Sequence, residues 1–349
     1  MAIATSAEEA LDAGAAPLRV VAIGGGTGLS TLLRGLCRHV AAPGHHILPK
    51  MGTISDLAAV VCVTDDGGSS GRLRRGFNML PPGDLRNCMV ALSEEGDLLA
   101  KLFAHRFRGG DALEGHSFGN LFVAALTEIT GDFAHAVQLS SKILATRGSI
   151  YPVTTANATL VARMDDGSLV RGETNINATQ RHIEELMMEP PDARALPETL
   201  AAIEQADLIS VGPGSLYTSI ITNLLVQGIP DALVNARGLR VFVCNLMTEA
   251  NESLGLTAAE HIEKIYEHAG APIFDYALVN TAQFSDDTLA RYAAENASPI
   301  IADIERVEAL GVRCIAGDFA SEGGVVRHAA GRVTGALLAL GRARAAARS

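Results

Sequence analysis

Tryptophan is absent from the 349 residues, and aromatic residues make up only 4% of them. The core is therefore aliphatic, and a shelf for a flavin-like ring has little to be built from. No stretch of 18 or more consecutive apolar residues occurs, which excludes a membrane-spanning helix. Excess positive charge is missing too. The formal net charge is −11, whereas a nucleic-acid groove needs a basic footprint. Five cysteines, Cys37, Cys62, Cys88, Cys244 and Cys314, include no Cys-x-x-Cys pair. An odd, scattered set points to reduced thiols and a cytoplasmic chain. None of the ten histidines forms an H-E-x-x-H pair, so a structural metal is not expected. The Gly-Lys-Ser/Thr of a P-loop and the Gly-x-Ser-x-Gly of a hydrolase elbow are missing as well.

Glycine and alternating apolar runs are what the chain does have. There are 35 glycines, and hydrophobic residues reach 48%, enough for one large α/β domain. Apolar runs at 18–23, 57–63, 206–211, 239–245 and 274–280 alternate with helical patterns such as 29–40. That rhythm predicts βαβ units and a mostly parallel sheet. One segment breaks it: 151–176 alternates small and polar residues around Asp165-Asp166-Gly167, which predicts an inserted β-hairpin. The acid-containing stretch 1–17 is expected to be a loose tail, 18–340 a single domain, and the Ala/Arg-rich 341–349 a frayed C-terminal tail.

Chemistry concentrates at the predicted strand ends, where open α/β sheets bind ligands. "AIGGGTGLS" places Gly25, Gly26, Thr27 and Gly28 between a strand and a helix; glycines there admit a ligand to the backbone, and the helix start offers N–H groups to an anion. "TDDGGSSG" follows another strand. One of Asp65 and Asp66 is expected to face the crevice, to accept from sugar hydroxyls or to hold Mg²⁺. Gly67, Gly68, Ser69 and Ser70 form a nest of donors for phosphate, with Arg72 just beyond. "PPGDLRN" opens a helix with Asp84 as its expected N-cap and Arg86 and Asn87 in the first turn. A cation there opposes the helix dipole unless an anion binds. "EGHSFGNL" has Ser117 to cap a helix, with His116 and Asn120 as hydrogen-bonding groups. "VGPGSLYTS" makes a second glycine junction through Gly212, Gly214 and Ser215, and Asn245 closes the strand before "NLMTEAN". Each loop alone is also explained as a tight turn. Together they describe a polar crevice of nucleotide size.

"GGGTGLSTLLRGL", "VTDDGGSSGRLR", "PPGDLRNCMVALSE", "LEGHSFGNLFVAALTEITGDF", "ISVGPGSLYTSIITNLLV" and "CNLMTEANES" resemble the gluconeogenesis factor family in unbroken order over residues 18–340. Its distant relative is the phospholactate transferase family of deazaflavin cofactor synthesis. The resemblance implies a Rossmann-like, three-layer fold that binds UDP-sugars, UDP-N-acetylglucosamine above all. It also implies a non-catalytic regulator linking carbon metabolism to cell-wall precursor supply and cell shape, with a cell-wall precursor enzyme as protein partner. On this chain the nucleotide loops would be Gly25 to Gly28, Asp65 to Ser70 and Gly212 to Ser215, with Tyr276 and Arg327 near the base or the sugar. No cofactor is required in that reading, and a homo-oligomer is compatible with a parallel-sheet protein of this size.

Two other readings compete. In a Mg²⁺-dependent phospholactate-type transferase, an aspartate of the 65–66 pair would position the metal. An NAD(P) oxidoreductase rests only on the first glycine loop. There the acid expected about twenty residues on is missing, since 41–54 reads "AAPGHHILPKMGTI".

Overall fold

The computed structural model describes residues 16–41, 53–93, 98–179, 181–250 and 252–347; the expected N-terminal tail lies outside them except for its last two residues. Seven strands form the central sheet: β1 (Leu18–Gly24), β2 (Ile54–Val61), β3 (Ser149–Pro152), and, after an insertion, β7 (Leu208–Val211), β8 (Leu239–Val243), β9 (Tyr276–Asn280) and β10 (Arg313–Gly317). Their order is β10-β9-β8-β7-β1-β2-β3, and every neighbouring pair is parallel. The runs Val20–Ile23 and Leu57–Val61 are wholly buried, as strands covered by helices on both faces must be. The expected α/β, Rossmann-like fold is the one observed.

Helices fill the connections. They are α1 (Gly26–Cys37), α2 (Gly68–Phe77), α3 (Gly83–Leu92), α4 (Leu98–Ala104), α5 (Phe118–Thr130), α6 (Phe133–Ile143), α7 (Glu173–Ala178) and α8 (Pro197–Gln205). A π-helical turn, Leu216–Ile221, then runs into α9 (Thr222–Leu224). The rest are α10 (Ile229–Asn235), α11 (Ala258–Ala269), α12 (Asp286–Ala294), α13 (Ile304–Ala309) and α14 (Ala330–Ala346). Helix α1 begins three residues before the apolar pattern does, because its first turn is made of glycine and threonine.

The insertion is larger than the hairpin read from the sequence. Strands β4 (Thr159–Met164) and β5 (Leu169–Arg171) form that hairpin, turning through Gly167 at φ +80°. A third strand, β6 (Ile183–Glu189), pairs antiparallel with β4. At the other end Tyr151 and Pro152 belong to β3 and pair with β2 in the main sheet. A four-residue strand containing proline carries too little alternation to be told from a hairpin arm.

The C-terminal boundary also moves. Helix α14 continues through Ala346, past the tail expected from residue 341. Gly341 is buried against the sheet, where an added Cβ would lie 2.7 Å from Leu18 Cδ1. A short hairpin, β11 (Ala320–Ser321) with β12 (Arg327–His328), precedes α14 and folds back over the carboxyl ends of the strands.

Candidate functional site

The strand order reverses between β1 and β7, because the chain leaves β1 toward β2 and β3 and returns on the other side to β7, β8, β9 and β10. Loops that follow β1 and β7 therefore diverge above the sheet and leave a crevice. A cleft of about 300 Å³ opens there. Its walls are the Gly25–Gly28 turn, Pro213–Ser215, Asn245–Glu249, and the Val325–His328 hairpin.

Local geometry shapes each wall. Gly26 adopts φ +63°, a left-handed conformation that glycine tolerates. Gly25 precedes α1 without a side-chain cap, so the first turn keeps free N–H groups at Thr27 and Gly28. Gly26 N–H is the exception and donates to Asp84 Oδ2 at 2.8 Å. Asp84 is thus not the N-cap of α3; Pro82 holds that place, and the Asp84 carboxylate reaches across to brace the first glycine loop. Burial raises its pKa, opposed by the Gly26 hydrogen bond.

The second glycine junction differs from expectation. Gly212 sits at φ +82° beneath the cleft and outside its lining, where a Cβ would strike Val243 O at 2.8 Å. The helical start after Ser215 is already closed by a side chain the sequence did not single out. Glu252 Oε2 accepts from Tyr217 N (2.9 Å) and Thr218 N (3.3 Å), and Oε1 from Thr218 Oγ1 (2.5 Å). Burial and the neighbouring Glu249 push the Glu252 carboxyl up to about 7. Glu249, in the cleft wall, is also raised by burial. Of the second loop, Gly214 and Ser215 remain as lining.

Asn245 forms part of the floor and is 7% exposed; its Oδ1 has no hydrogen-bond partner in the protein. A buried carbonyl oxygen left unpaired costs about 1–3 kcal/mol unless a ligand or water supplies a donor. His328 Nε2 lies 3.0 Å from Cys244 O, and burial pulls this imidazole down to about 4, so it is neutral and donates to that carbonyl. Arg327 lines the rim. Tyr276 does not: it starts β9, at the amino end of the strands and so on the far side of the sheet from the cleft, where its hydroxyl accepts from Arg313 at 3.0 Å. The tyrosine in the cleft is Tyr292 of α12, whose hydroxyl accepts from Val326 N at 2.9 Å. The helical pattern of 286–294 gave no sign of it, since α12 meets the cleft only through the returning hairpin.

The remaining sequence candidates form a second group, outside the cleft lining. Asp65 Oδ1 accepts from Gly67 N at 2.9 Å, an Asx turn that shapes the loop. Asp66 points away, accepting from Thr174 N (2.8 Å) and Thr174 Oγ1 (2.5 Å) at the start of α7. The two carboxylates diverge, as their adjacency predicts. Gly68 is exposed, and Ser70 is buried beside Gly83. Ser69 Oγ lies 2.9 Å from His116 Nδ1 and accepts from Asn120 Nδ2 at 3.1 Å. Arg86 Nε donates to Asn120 Oδ1 at 3.3 Å, while Arg72 donates to Glu114 O at 2.6 Å. Ser117 caps α5 as expected, accepting from Asn120 N at 3.2 Å. Asn87 is half-buried on α3. Among the described residues no group of three or more histidine, cysteine or carboxylate side chains is disposed to hold a metal ion. Asn251, named with the third loop, lies outside the described residues.

These features define a doubly wound α/β protein with a cleft at the switch point of its parallel sheet. The chain belongs to the family described as 2-phospho-L-lactate transferase CofD, whose profile matches residues 20–320. It is 45% identical to a gluconeogenesis factor of Halalkalibacterium halodurans, over 91% of this chain and 95% of that one. With the gluconeogenesis factor of Bacillus subtilis it shares 42% identity over 92% of this chain and 98% of the relative. A crystal structure of a Bacillus halodurans protein superposes with a TM-score of 0.86 at 44% identity, covering 93% of this chain and 100% of the other. The resemblance read from the motifs is therefore correct for both families. No helix among the described residues is long and apolar enough to cross a membrane.

Proposed function

We propose that the cleft binds a nucleotide sugar, UDP-N-acetylglucosamine above all, and that the protein is a cytoplasmic regulator and not a catalyst. In this reading it links gluconeogenic growth to peptidoglycan precursor supply and cell shape, with a cell-wall precursor enzyme as its protein partner. The relatives named gluconeogenesis factor support the metabolic half of the proposal. The ligand half rests on one observation above the others: the unpaired, buried Asn245 Oδ1 at the floor of a glycine-walled cleft. That oxygen is screened from solvent by its neighbours, and a small shift of the Asn245 side chain would let a ribose or sugar hydroxyl, or a uracil N–H, satisfy it. The free N–H groups of Thr27 and Gly28 then face the diphosphate at the start of α1, and Arg327 closes the rim.

Calorimetric titration with UDP-N-acetylglucosamine, with and without Mg²⁺, tests this, provided the same sample is assayed for released UDP or UMP. Micromolar binding that is independent of Mg²⁺, with ligand recovered intact, is the expected result. Absence of binding sinks the proposal.

The family description favours a second reading, a Mg²⁺-dependent transferase. It needs carboxylates that converge, and Asp66 is turned away from Asp65 toward Thr174. Release of a nucleoside monophosphate from a phospholactyl-guanosine donor, dependent on Mg²⁺ and a deazaflavin acceptor, would establish it.

A further inference from the structure

Beyond the cleft, three arginines converge on one short stretch of backbone with no carboxylate to neutralise them. Arg106 Nη1 donates to Gly115 O at 2.5 Å, and Arg72 Nη2 to the adjacent Glu114 O at 2.6 Å. Arg86 reaches the same place from α3 through Asn120 and stacks its Cγ against Gly119, where a Cβ would lie only 2.7 Å away. Among the described residues none of the three has a carboxylate oxygen within 4.0 Å, whereas Arg19, Arg163, Arg171, Arg181, Arg240, Arg306 and Arg332 all do. Asp84 is the charge that Arg86 feels most favourably, yet its carboxylate is committed to Gly26.

Cations held only by carbonyl oxygens keep their charge unneutralised, and the partly buried Arg86 costs the fold most, because carbonyls do not return the charge interaction lost on leaving water. Here the fold concentrates them. Arg106 disfavours the charge on Arg86, and Arg72 and Arg106 disfavour protonation of His116. His116 is 8% exposed and therefore stays neutral, with its Nδ1 engaged by Ser69. Around it stand the hydroxyl of Ser69, the amide of Asn120 and the first turn of α2, which has no acidic residue. The three guanidiniums are the only cations or anions among these groups apart from the exposed carboxylate of Glu114, and each has N–H donors beyond the single hydrogen bond it makes to a carbonyl oxygen.

We propose that Arg72, Arg86 and Arg106, with Ser69, His116 and Asn120, form a second ligand site that takes the phosphate or carboxylate group of a small metabolite. The site shares no residue with the glycine cleft and stands across Asp84 from it. Its existence does not rest on the nucleotide-sugar proposal. The anion has two sources: a free acidic metabolite, or an acidic arm on the ligand of the neighbouring cleft.

The test is calorimetry of the full chain with inorganic phosphate, in the absence of any nucleotide. One saturable site is expected, weakened at least tenfold by Arg106→Gln and by Arg86→Gln and unchanged by Arg313→Gln, an arginine on the opposite sheet edge. Arg106 is exposed and bonds only a carbonyl, so its variant keeps the fold even if that of Arg86 does not; thermal melts of each variant check this. No saturable heat, or an affinity unchanged in a folded Arg106→Gln, overturns the proposal. Repeating the titration with UDP-glucose or UDP-glucuronate present separates the sources. Phosphate binding that persists with both identifies a free anion. Exclusion of phosphate by UDP-glucuronate alone identifies an arm of the cleft's own ligand. If neither nucleotide binds, the cleft proposal fails while the phosphate result stands.

Discussion

Gly28 has no room for a methyl group. A Cβ there would lie 2.5 Å from Pro213 O and 2.8 Å from its carbonyl carbon, both backbone atoms. Gly28→Ala must therefore push apart the loops that follow β1 and β7. The expected cost is about 1–3 kcal/mol of stability, read by urea unfolding, together with a tenfold or greater loss of UDP-N-acetylglucosamine affinity. Asp84→Ala acts on the same loop from behind. It leaves Gly26 N–H without its acceptor, costs about 1–3 kcal/mol, and weakens the same titration. Glu252 is the third decisive residue. Its carboxyl is raised to about 7, so between the ordinary glutamate range and neutrality the folded protein holds a proton that the unfolded chain has released. Stability therefore falls as pH rises through that window, by about 3 kcal/mol in all, and is flat above it. Glu252→Gln keeps an acceptor for Tyr217 N and Thr218 N, reverses the Thr218 hydroxyl bond so that the amide donates, and should flatten the slope. An unchanged slope in that variant would assign the effect elsewhere.

At the scale of elements, the parts most legible in the sequence were those where one periodicity runs unbroken. Strands β1 and β2 are continuous aliphatic runs, and Ser117 announces α5 by the oxygen that caps it. Strand β10, "RCIAG", escaped because it is half-exposed at the sheet edge and reads as neither alternation nor a buried run. Helix α14 was cut short for a related reason: its Ala/Arg composition looks solvent-exposed, yet Gly341 marks a helix pressed close to the sheet. Where α1 crosses it, a Cβ on Gly35 would collide with Thr334 Oγ1 and come within 2.9 Å of Ala330 O. Gly35→Ala should destabilise the chain by about 1–3 kcal/mol, whereas Gly331→Ala, which meets nothing within 4 Å, should be neutral or better; urea midpoints of the two variants decide it. The cleft was legible as loops and not as a set of partners. Tyr292 enters it from an element far along the chain, while Glu252 closes the π-helical turn outside the cleft lining, and no local pattern reports which returning segment covers a strand end.

For the whole molecule, buried carboxyls set the response to acid. Burial raises Glu173, with Asp65 and Asp84 adding to it, and raises Asp84, Glu249 and Glu252 as well. Each favours the folded state at lower pH, because the fold binds protons that the unfolded chain does not. Opposing groups such as Glu189, held low by Arg171, and Glu322, held low by Ser285 and Thr288, weaken the fold only when pH drops below the carboxylate range. Buried imidazoles pull the other way, since burial holds His261, His268 and His328 below the ordinary imidazole range and stability falls as pH drops through it. Melting temperature should therefore change little between about pH 5 and 7 in the wild type and decline as pH rises there in His328→Gln, which a melting series measures. Ligand affinity should fall as pH rises, since ionised Glu249 and Glu252 repel a diphosphate.

The cleft walls begin at Gly25 and end at His328. During synthesis a ribosome has released the first wall long before the last one exists, so a nascent chain stays blind to its ligand until almost the entire sheet has emerged. A ligand bound there would tie the earliest loop to the latest hairpin, so under the proposed function only finished copies could respond to it.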